Sequence, residues 1–488
     1  MSSLTLSSVF DGLQPAAVWS HFATLCAIPR PSKHEARLRD HLQSWATERG
    51  LGFSVDAVGN VRISKPASSG YEQAPGVVLQ AHLDMVCQAN AGVAHDFLRD
   101  PVRPVLRDGW LVAEQTTLGA DNGLGVALIL AALEDRSLAH GPLEALLTID
   151  EEAGMGGARG LASDWLAGRL LLNLDTEDWG LFYLGCAGGV DVSVRRDGTA
   201  KAVPADFRQV RIELRGLRGG HSGVNIHEGR GNAIKLLVRV LQQLSAKTPV
   251  RLSTLKGGTA RNALPREAFA EIAVPADCVE MLGDFLTGWQ ATLRAELAGI
   301  DESVELTCVP CTVEQVMSAS DQSAWLASLH AAPQGIRRMS LAAPGVVETS
   351  DNLGIVDLSP TCGQCNFMVR SLVDSAAVDL ADEIISLFAL SGTTATASGH
   401  YSGWRPNPAS PLLARCQRVF QRTFGETSAT QVIHAGLECG LIGGKYPEMD
   451  MVSFGPTIHG AHAPGERVEV ASVERCWRLL KGILAELH

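Results

Sequence analysis

Three short apolar runs recur within the first 175 residues, each closing on charged residues. Val77 to Leu83 (VVLQAHL), Leu143 to Ile149 (LEALLTI) and Leu170 to Leu174 (LLLNL) have the length of buried strands. Between them, Gly125 to Leu133 (GVALILAAL) is apolar on every side, which predicts a helix enclosed all round. Residues 15–49 predict two helices broken at Ile28-Pro29-Arg30-Pro31-Ser32, with Ser32 as the N-cap of the second. Strands alternating with helices predict an α/β sheet covered on both faces, whose ligand sites lie at the strand ends.

From about residue 188 the period changes. VDVSVRRDG and FRQVRIELRG alternate apolar and polar positions, as antiparallel strands with one solvated face do. Asn232 to Ala246 reads as an amphipathic helix and Val279 to Leu297 as another. ALPREAFAEIAV and VELTCVPCTVEQV read as further strands. This stretch predicts a second, α+β domain, and the mix from Pro408 onward predicts that the first domain resumes. The expected division is 1–187 and 398–488 for the first domain, with 188–397 inserted.

Composition narrows the class. With 488 residues and 46% hydrophobic content the chain can bury a large core. A net charge of -12 argues against a nucleic-acid or anionic-membrane partner. The most apolar segment is too short to span a bilayer. MSSLTLSSVFDGLQPAAVW lacks a basic start and a long apolar core, so no signal peptide is expected. The eleven cysteines are odd in number and scattered, which suits a reduced, cytoplasmic protein. Cys308-Val-Pro-Cys311 and Cys362-Gly-Gln-Cys365 have the spacing for a four-thiolate zinc site. Each sits in a β-like stretch, and both are read as incidental.

The chemistry concentrates at the strand ends. His82 and Asp84 stand at i and i+2, so in an extended chain they face the same way. Asp121 precedes the apolar helix. LTIDEEAGMGG places Asp150, Glu151 and Glu152 in succession before glycines. Asp175 ends the next run, and His462 lies in GPTIHGAHAPGE. Adjacent carboxylates repel, so such a cluster persists only if water solvates it or a cation neutralises it. A helix cap or a backbone-satisfied histidine explains each residue singly, but not the set.

These strings resemble the zinc-dependent aminopeptidase and dipeptidase clan of the carboxypeptidase G2, aminoacylase and carnosinase type. The matching motifs are AHLDMV (81–86), TLGADNGLG (117–125), TIDEEAGMGG (148–157), NLDTE (173–177), GGHSG (219–223) and HAPGE (462–466). The longer strings GGHSGVNIHEGRGNA (219–233) and HAGLECG (434–440) resemble the bacterial aminoacyl-histidine, or non-specific, dipeptidases within it. The resemblance implies a mixed central sheet flanked by helices, with an inserted α+β lid, long enough here to be doubled. It implies that Asp121 bridges two zinc ions, with His82 and Asp175 on one and Glu152 and His462 on the other. It makes Glu151 the general base and Asp84 the residue that orients His82. His462 rather than His459 fits the motif. Cobalt or manganese also suits oxygen and imidazole donors.

On the lid, the resemblance makes His221 an oxyanion donor and Asn262 a substrate contact. The family's carboxylate-binding arginine is missing at its usual spacing after Asn262, and Arg370 is the substitute. Glu438 is expected to meet the amino group of a small peptide. The glycines after Glu152 are expected to let the backbone approach the metal pocket, with Asp150 solvated. A homodimer is also expected. Rival readings are an N-acyl amino-acid deacylase or tripeptidase of the same clan, a non-catalytic binding protein that keeps the fold, and a structural metal protein. A structural zinc site is thiolate-rich and has no spare base.

Overall fold

A computed structural model describes residues 9–488; residues 1–8, where MSSLTLSSVFDGLQPAAVW begins, lie outside the described residues. The chain forms two compact units. One comprises residues up to Gly185 with Pro406–Val432 and Leu437–His488; the other comprises Cys186–Arg405 with Ile433–Gly436. Residues 398–405 and 433–436, expected in the resumed first domain, thus cluster with the second unit. The strand Thr394–Tyr401 runs on past residue 397 as an edge of the second unit's sheet. The amide of Ala187 donates to the carbonyls of Ile433 and Ala435, which ties that tetrapeptide there.

The first unit is built on an eight-stranded mixed sheet. Its order is Gly52–Val55, Val61–Lys65, Leu143–Thr148, Val77–His82, Leu170–Asn173, Asp450–Ser453, Leu181–Cys186 and Ala429–Ile433. The four central strands, from Leu143–Thr148 to Asp450–Ser453, pair in parallel. Every residue of Val77–His82 is buried, as a strand covered on both faces requires. The apolar helix spans Ala120–Glu134, and its residues Gly123 to Leu133 are all buried. It packs on Val77–His82 and on the helix Ala16–Ala27.

The N-terminal helices are Ala16–Ala27 and Ala36–Glu48. Ser32 does not cap the second: its N-cap is Glu35, and no side chain bonds there. The Ser32 hydroxyl instead donates to Asp84 Oδ2 at 2.7 Å. The helix begins only at Ala36, so the hydroxyl does not reach its amides and serves the site through a charge-assisted bond.

The second unit is built on a nine-stranded antiparallel sheet. Its path runs Glu305–Pro310, Phe207–Arg215, Ala268–Pro275, Arg251–Gly257, Val347–Leu358, Cys362–Ser371, Gly188–Asp197 and Thr394–Tyr401, with Gly335–Met339 beside Val347–Leu358. The first four strands form one half with the helices Ala233–Ser245 and Val279–Glu296. The last four carry the helix Asp374–Leu390, while Ala319–Ala331 packs mainly against Ala233–Ser245. Alternate residues such as Val210, Ile212 and Leu214, or Phe367 and Val369, enter a single core under these helices. Asn232 caps the helix Ala233–Ser245 by accepting from the amides of Ile234 and Lys235. The two Cys-x-x-C pairs lie on strands with four others between them, about 24 Å at the usual interstrand spacing, so they cannot share an ion.

Candidate active site

The carboxyl ends of the parallel strands place the chemistry. Val77–His82 delivers His82 and Asp84, Leu143–Thr148 delivers Glu151 and Glu152, and Leu170–Asn173 delivers Asp175. Asp121 sits in the first turn of the apolar helix. His462 lies in the turn between the short strands Ile458–His459 and Arg467–Glu469. Its φ of +66° is a left-handed conformation uncommon outside glycine and frequent at functional positions. His459 stacks on Trp110 instead, with ring centroids 4.9 Å apart.

The five expected ligands converge in two groups about Asp121. His82 Nε2 lies 3.2 Å from Asp121 Oδ1 and 3.4 Å from Asp175 Oδ1. His462 Nε2 lies 3.2 Å from Asp121 Oδ2 and 3.1 Å from Glu152 Oε2. One oxygen of Asp121 therefore faces each group. Ligand atoms of His82, Asp121 and Glu152 lie within 4.8 Å of one another.

Electrostatics mark an unbalanced cluster. Hydrogen bonds to Asp121 and Glu152 raise His462 to about 11. Burial opposes the charge on His82, yet Asp175, Asp121 and Asp84 together raise it well above its ordinary value. Burial pushes Glu152 up, and one of its oxygens is buried without a partner. Against burial, His462 and His82 in turn hold the Asp121 carboxyl well below the usual carboxylate range. Both imidazoles are thus held protonated among carboxylates that have no other cationic partner in the described residues. Two divalent cations among three ligand carboxylates meet that lack, and the oxygen and imidazole donors suit zinc, manganese or cobalt.

Burial, opposed by His82 and reinforced by Asp175, Glu152 and Glu438, holds the Glu151 carboxyl well above its ordinary value. Asp84 organises the loop. Its Oδ1 accepts from the Glu151 amide at 3.0 Å, and its Oδ2 from the Glu152 amide at 3.1 Å. Oδ1 also lies 3.4 Å from His82 Nδ1. Burial would raise Asp84, but bonds from His82, Ser32 and the Glu151 amide outweigh it and hold the group at about 2. Asp150 turns aside: its amide donates to Glu35 Oε1 at 2.9 Å, and it is partly buried rather than solvated. The glycines do not line the metal pocket. A Cβ on Gly156 would meet Asp150 Oδ2 at 2.4 Å, and one on Gly157 the Ile149 carbonyl at 2.6 Å.

Several contributors escaped the sequence reading. Buried Arg30 donates to the carbonyls of Leu83, Asp84 and Gly119 at 2.9, 2.8 and 2.5 Å. Buried Glu466 accepts from the amides of Leu118, Gly119 and Asp121 at 2.7, 2.9 and 3.1 Å. The Gly119 peptide is thus held from both sides, at φ +69°, where a Cβ would meet Arg30 Nη2 at 2.6 Å. Charged residues inside apolar or proline-rich segments were the available signal. Glu177 is half-buried, and burial with Asp121 nearby lifts it to about 8. Glu438, expected to meet a substrate amino group, has no exposed surface and accepts from Thr148 and Gln80. Both bonds go to its Oε2, and its Oε1 is buried without a partner among the described residues.

In the second unit the strand pair Gly220–His221 and Ala263–Leu264 sets His221 beside Asn262, whose carbonyl accepts from the Ser222 amide at 2.8 Å. Arg370 is buried, 4% exposed, and its partners are neutral or imidazole. Its Nε meets Ser222 Oγ at 3.4 Å, its Nη1 Tyr401 OH at 3.0 Å and its Nη2 His221 Nε2 at 3.4 Å. His221 Nδ1 accepts from the amides of Gly223 and Val224, each at 3.1 Å, which leaves the proton on Nε2. A Cβ on Gly223 would strike the His434 carbonyl at 2.0 Å, so the close approach needs glycine.

Fold and cluster together define a class: an open α/β sheet whose strand ends carry a carboxylate–imidazole centre fit for two divalent ions. The comparisons narrow it. Residues 78–486 match the model of peptidase family M20/M25/M40, and the chain belongs to that family. It is 45% identical to the cytosol non-specific dipeptidase of Escherichia coli K12 over 481 residues, 98% of this chain and 99% of the relative. The aminoacylhistidine dipeptidase of Vibrio alginolyticus superposes with a TM-score of 0.89 at 43% identity, covering 98% of each chain. Aminopeptidase PepT of Bacillus cereus shares the fold, with a TM-score of 0.56 at 16% identity over 97% of this chain and 99% of its own.

Proposed function

We propose that this metallopeptidase hydrolyses dipeptides with a free amino terminus, Xaa-His among them. The observation that carries this is the pair of imidazole–carboxylate groups, one on each oxygen of Asp121, in a chain so similar to two dipeptidases. His82 and Asp175 would hold one ion, Glu152 and His462 the other, and Asp121 both, with zinc the expected metal. When bound, the ions supply Lewis acidity, polarising the scissile carbonyl and acidifying water.

The chain's own residues do the rest. Glu151 takes a proton from the attacking water and delivers it to the leaving amine. Asp84 fixes the Glu151 and Glu152 backbone and holds the imidazole of His82. His221, with its proton on Nε2, donates to the developing oxyanion, a role typically worth roughly 10²–10³ in rate. Arg370 takes the substrate carboxylate; among the described residues its buried guanidinium has no anionic partner, and a planar fork receives a carboxylate bidentately. His221 Nε2 lies 3.4 Å from Arg370 Nη2, so the two groups stand side by side. Asn262 would contact the substrate beside them. Glu177, lying near Asp121 and His462 with no ligand role, is the group best suited to a substrate amine.

A panel of free dipeptides, N-acetylated dipeptides and tripeptides, assayed with and without chelator, tests the reading. Chelator-sensitive cleavage of the free dipeptides is expected. Preference for the N-acetyl forms would replace it with a deacylase. Glu177→Gln should raise KM for free dipeptides more than for blocked ones. Among the described residues no helix is long and apolar enough to cross a membrane. A cytoplasmic location and a homodimer complete the proposal, tested by fractionation and sedimentation.

A further inference from the structure

Beneath the ligands runs a row of fully buried polar side chains that the reaction does not use. Gln80, Asn173 and Ser453 stand opposite one another on three adjacent parallel strands, and Thr148 stands opposite His82 on a fourth. Opposed residues of parallel strands share a face, as do residues two apart, so this row lies on the face that carries His82 and Asp175. Ser453 Oγ donates to Asn173 Oδ1, and Asn173 Nδ2 donates to Gln80 Oε1. Gln80 Nε2 donates to Thr148 Oγ1 at 3.3 Å and to Glu438 Oε2 at 2.6 Å. Thr148 Oγ1 donates to Glu438 Oε2 at 2.5 Å. Asn173 Oδ1 also accepts from the amide of Asp175 at 3.3 Å, which ties the row to a ligand's own backbone.

Such a row costs stability, since aliphatic side chains would fill the same space without polar atoms to satisfy. What it supplies is geometry: directional bonds set the lateral and axial positions of four strand ends, where aliphatic packing tolerates sliding. We propose that Gln80, Asn173, Ser453, Thr148 and Glu438 form a positioning layer that holds His82 and Asp175 at ion-binding distance, with Glu438 as its anchor. Only these two ligands stand two residues beyond members of the row. Glu152 and His462 are held elsewhere, by Asp84 and by the turn that carries His462. The layer therefore acts selectively on the His82–Asp175 ion. The inference rests on the two-ion reading above.

The test is zinc titration of the full-length metal-free protein against a competing chelator. Asp175→Ala and Glu152→Ala serve as references that each weaken a different ion. Gln80→Leu and Ser453→Ala should weaken one equivalent by roughly 10–100-fold, the usual effect of a residue behind a ligand. The equivalent that stays tight should match the one retained by Asp175→Ala. Equal weakening of both ions, or no change in either, overturns the positioning layer. If Gln80→Leu does not fold, Ser453→Ala and Glu438→Gln carry the same expectation. A wild-type protein that binds fewer than two ions would instead defeat the two-ion reading, a separate outcome of the same titration.

Discussion

Asp121 has an imidazole against each of its carboxylate oxygens, and that arrangement sorts the single-residue effects. Asp121→Ala should weaken both ions in the titration, whereas Glu152→Ala should weaken one. Glu151→Gln keeps the backbone bonds to Asp84 and removes only the proton acceptor. It should retain both ions while kcat falls by about 10²–10⁴-fold, the range for a general base. Near-normal turnover in that variant would end the assignment. Asp84→Ala should lower metal affinity by about 10–100-fold, because the His82 ring and two backbone amides lose their holder. At this scale the residues that converge on Asp121 were singled out from AHLDMV, TLGADNGLG, TIDEEAGMGG, NLDTE and HAPGE, through their resemblance to a family's motifs. The roles of Ser32, Arg30 and Glu466 were not, since each acts on a segment more than 50 residues away.

At the scale of elements, strands and the apolar helix followed from period and composition, although the helix begins five residues earlier, at Ala120, and the two stretches ALPREAFAEIAV and VELTCVPCTVEQV each divide into two strands. Loops resisted the same reading. The segment before Asp121 is held by Glu466 at three amides and by Arg30 at a carbonyl, contacts that no local propensity encodes. Glu466→Ala would leave those amides buried and unmet. It should destabilise the metal-free protein by on the order of 3 kcal/mol in urea unfolding, and a loss within error would remove Glu466 as the loop's holder. In the second unit, Asn232→Ala should cost about 1 kcal/mol or more, because the side chain caps a helix and also donates to the Leu353 carbonyl.

For the whole molecule, the acidic cluster makes stability depend on metal and pH together. Glu438 moves from an ordinary 4.5 to about 8 on folding, and His462 from 6.5 to about 11. In both cases the unfolded chain releases its proton at lower pH than the folded one, so the unfolded state binds fewer protons in between. Stability of the metal-free protein therefore falls as pH rises, first between 4.5 and about 8 through Glu438 and then from 6.5 to about 11 through His462. The melting temperature of chelator-treated protein should drop across that span. Zinc should raise it, most at the alkaline end, since ions that bind only the folded state stabilise it. A metal-free melting temperature that rises with pH would contradict the cluster's charge balance.

The chain's linear order by itself determined the α/β class, the inserted α+β region and the residue types of a two-ion centre, because period, strand length and short motifs are local properties. Tertiary structure alone decided which oxygen of Asp121 faces which histidine, that Ser32 serves Asp84, that Glu438 is enclosed, and that Arg370 joins His221 across nearly 150 residues. Those outcomes depend on which strand ends become neighbours and on how buried charges find partners, and neither is written in any single segment.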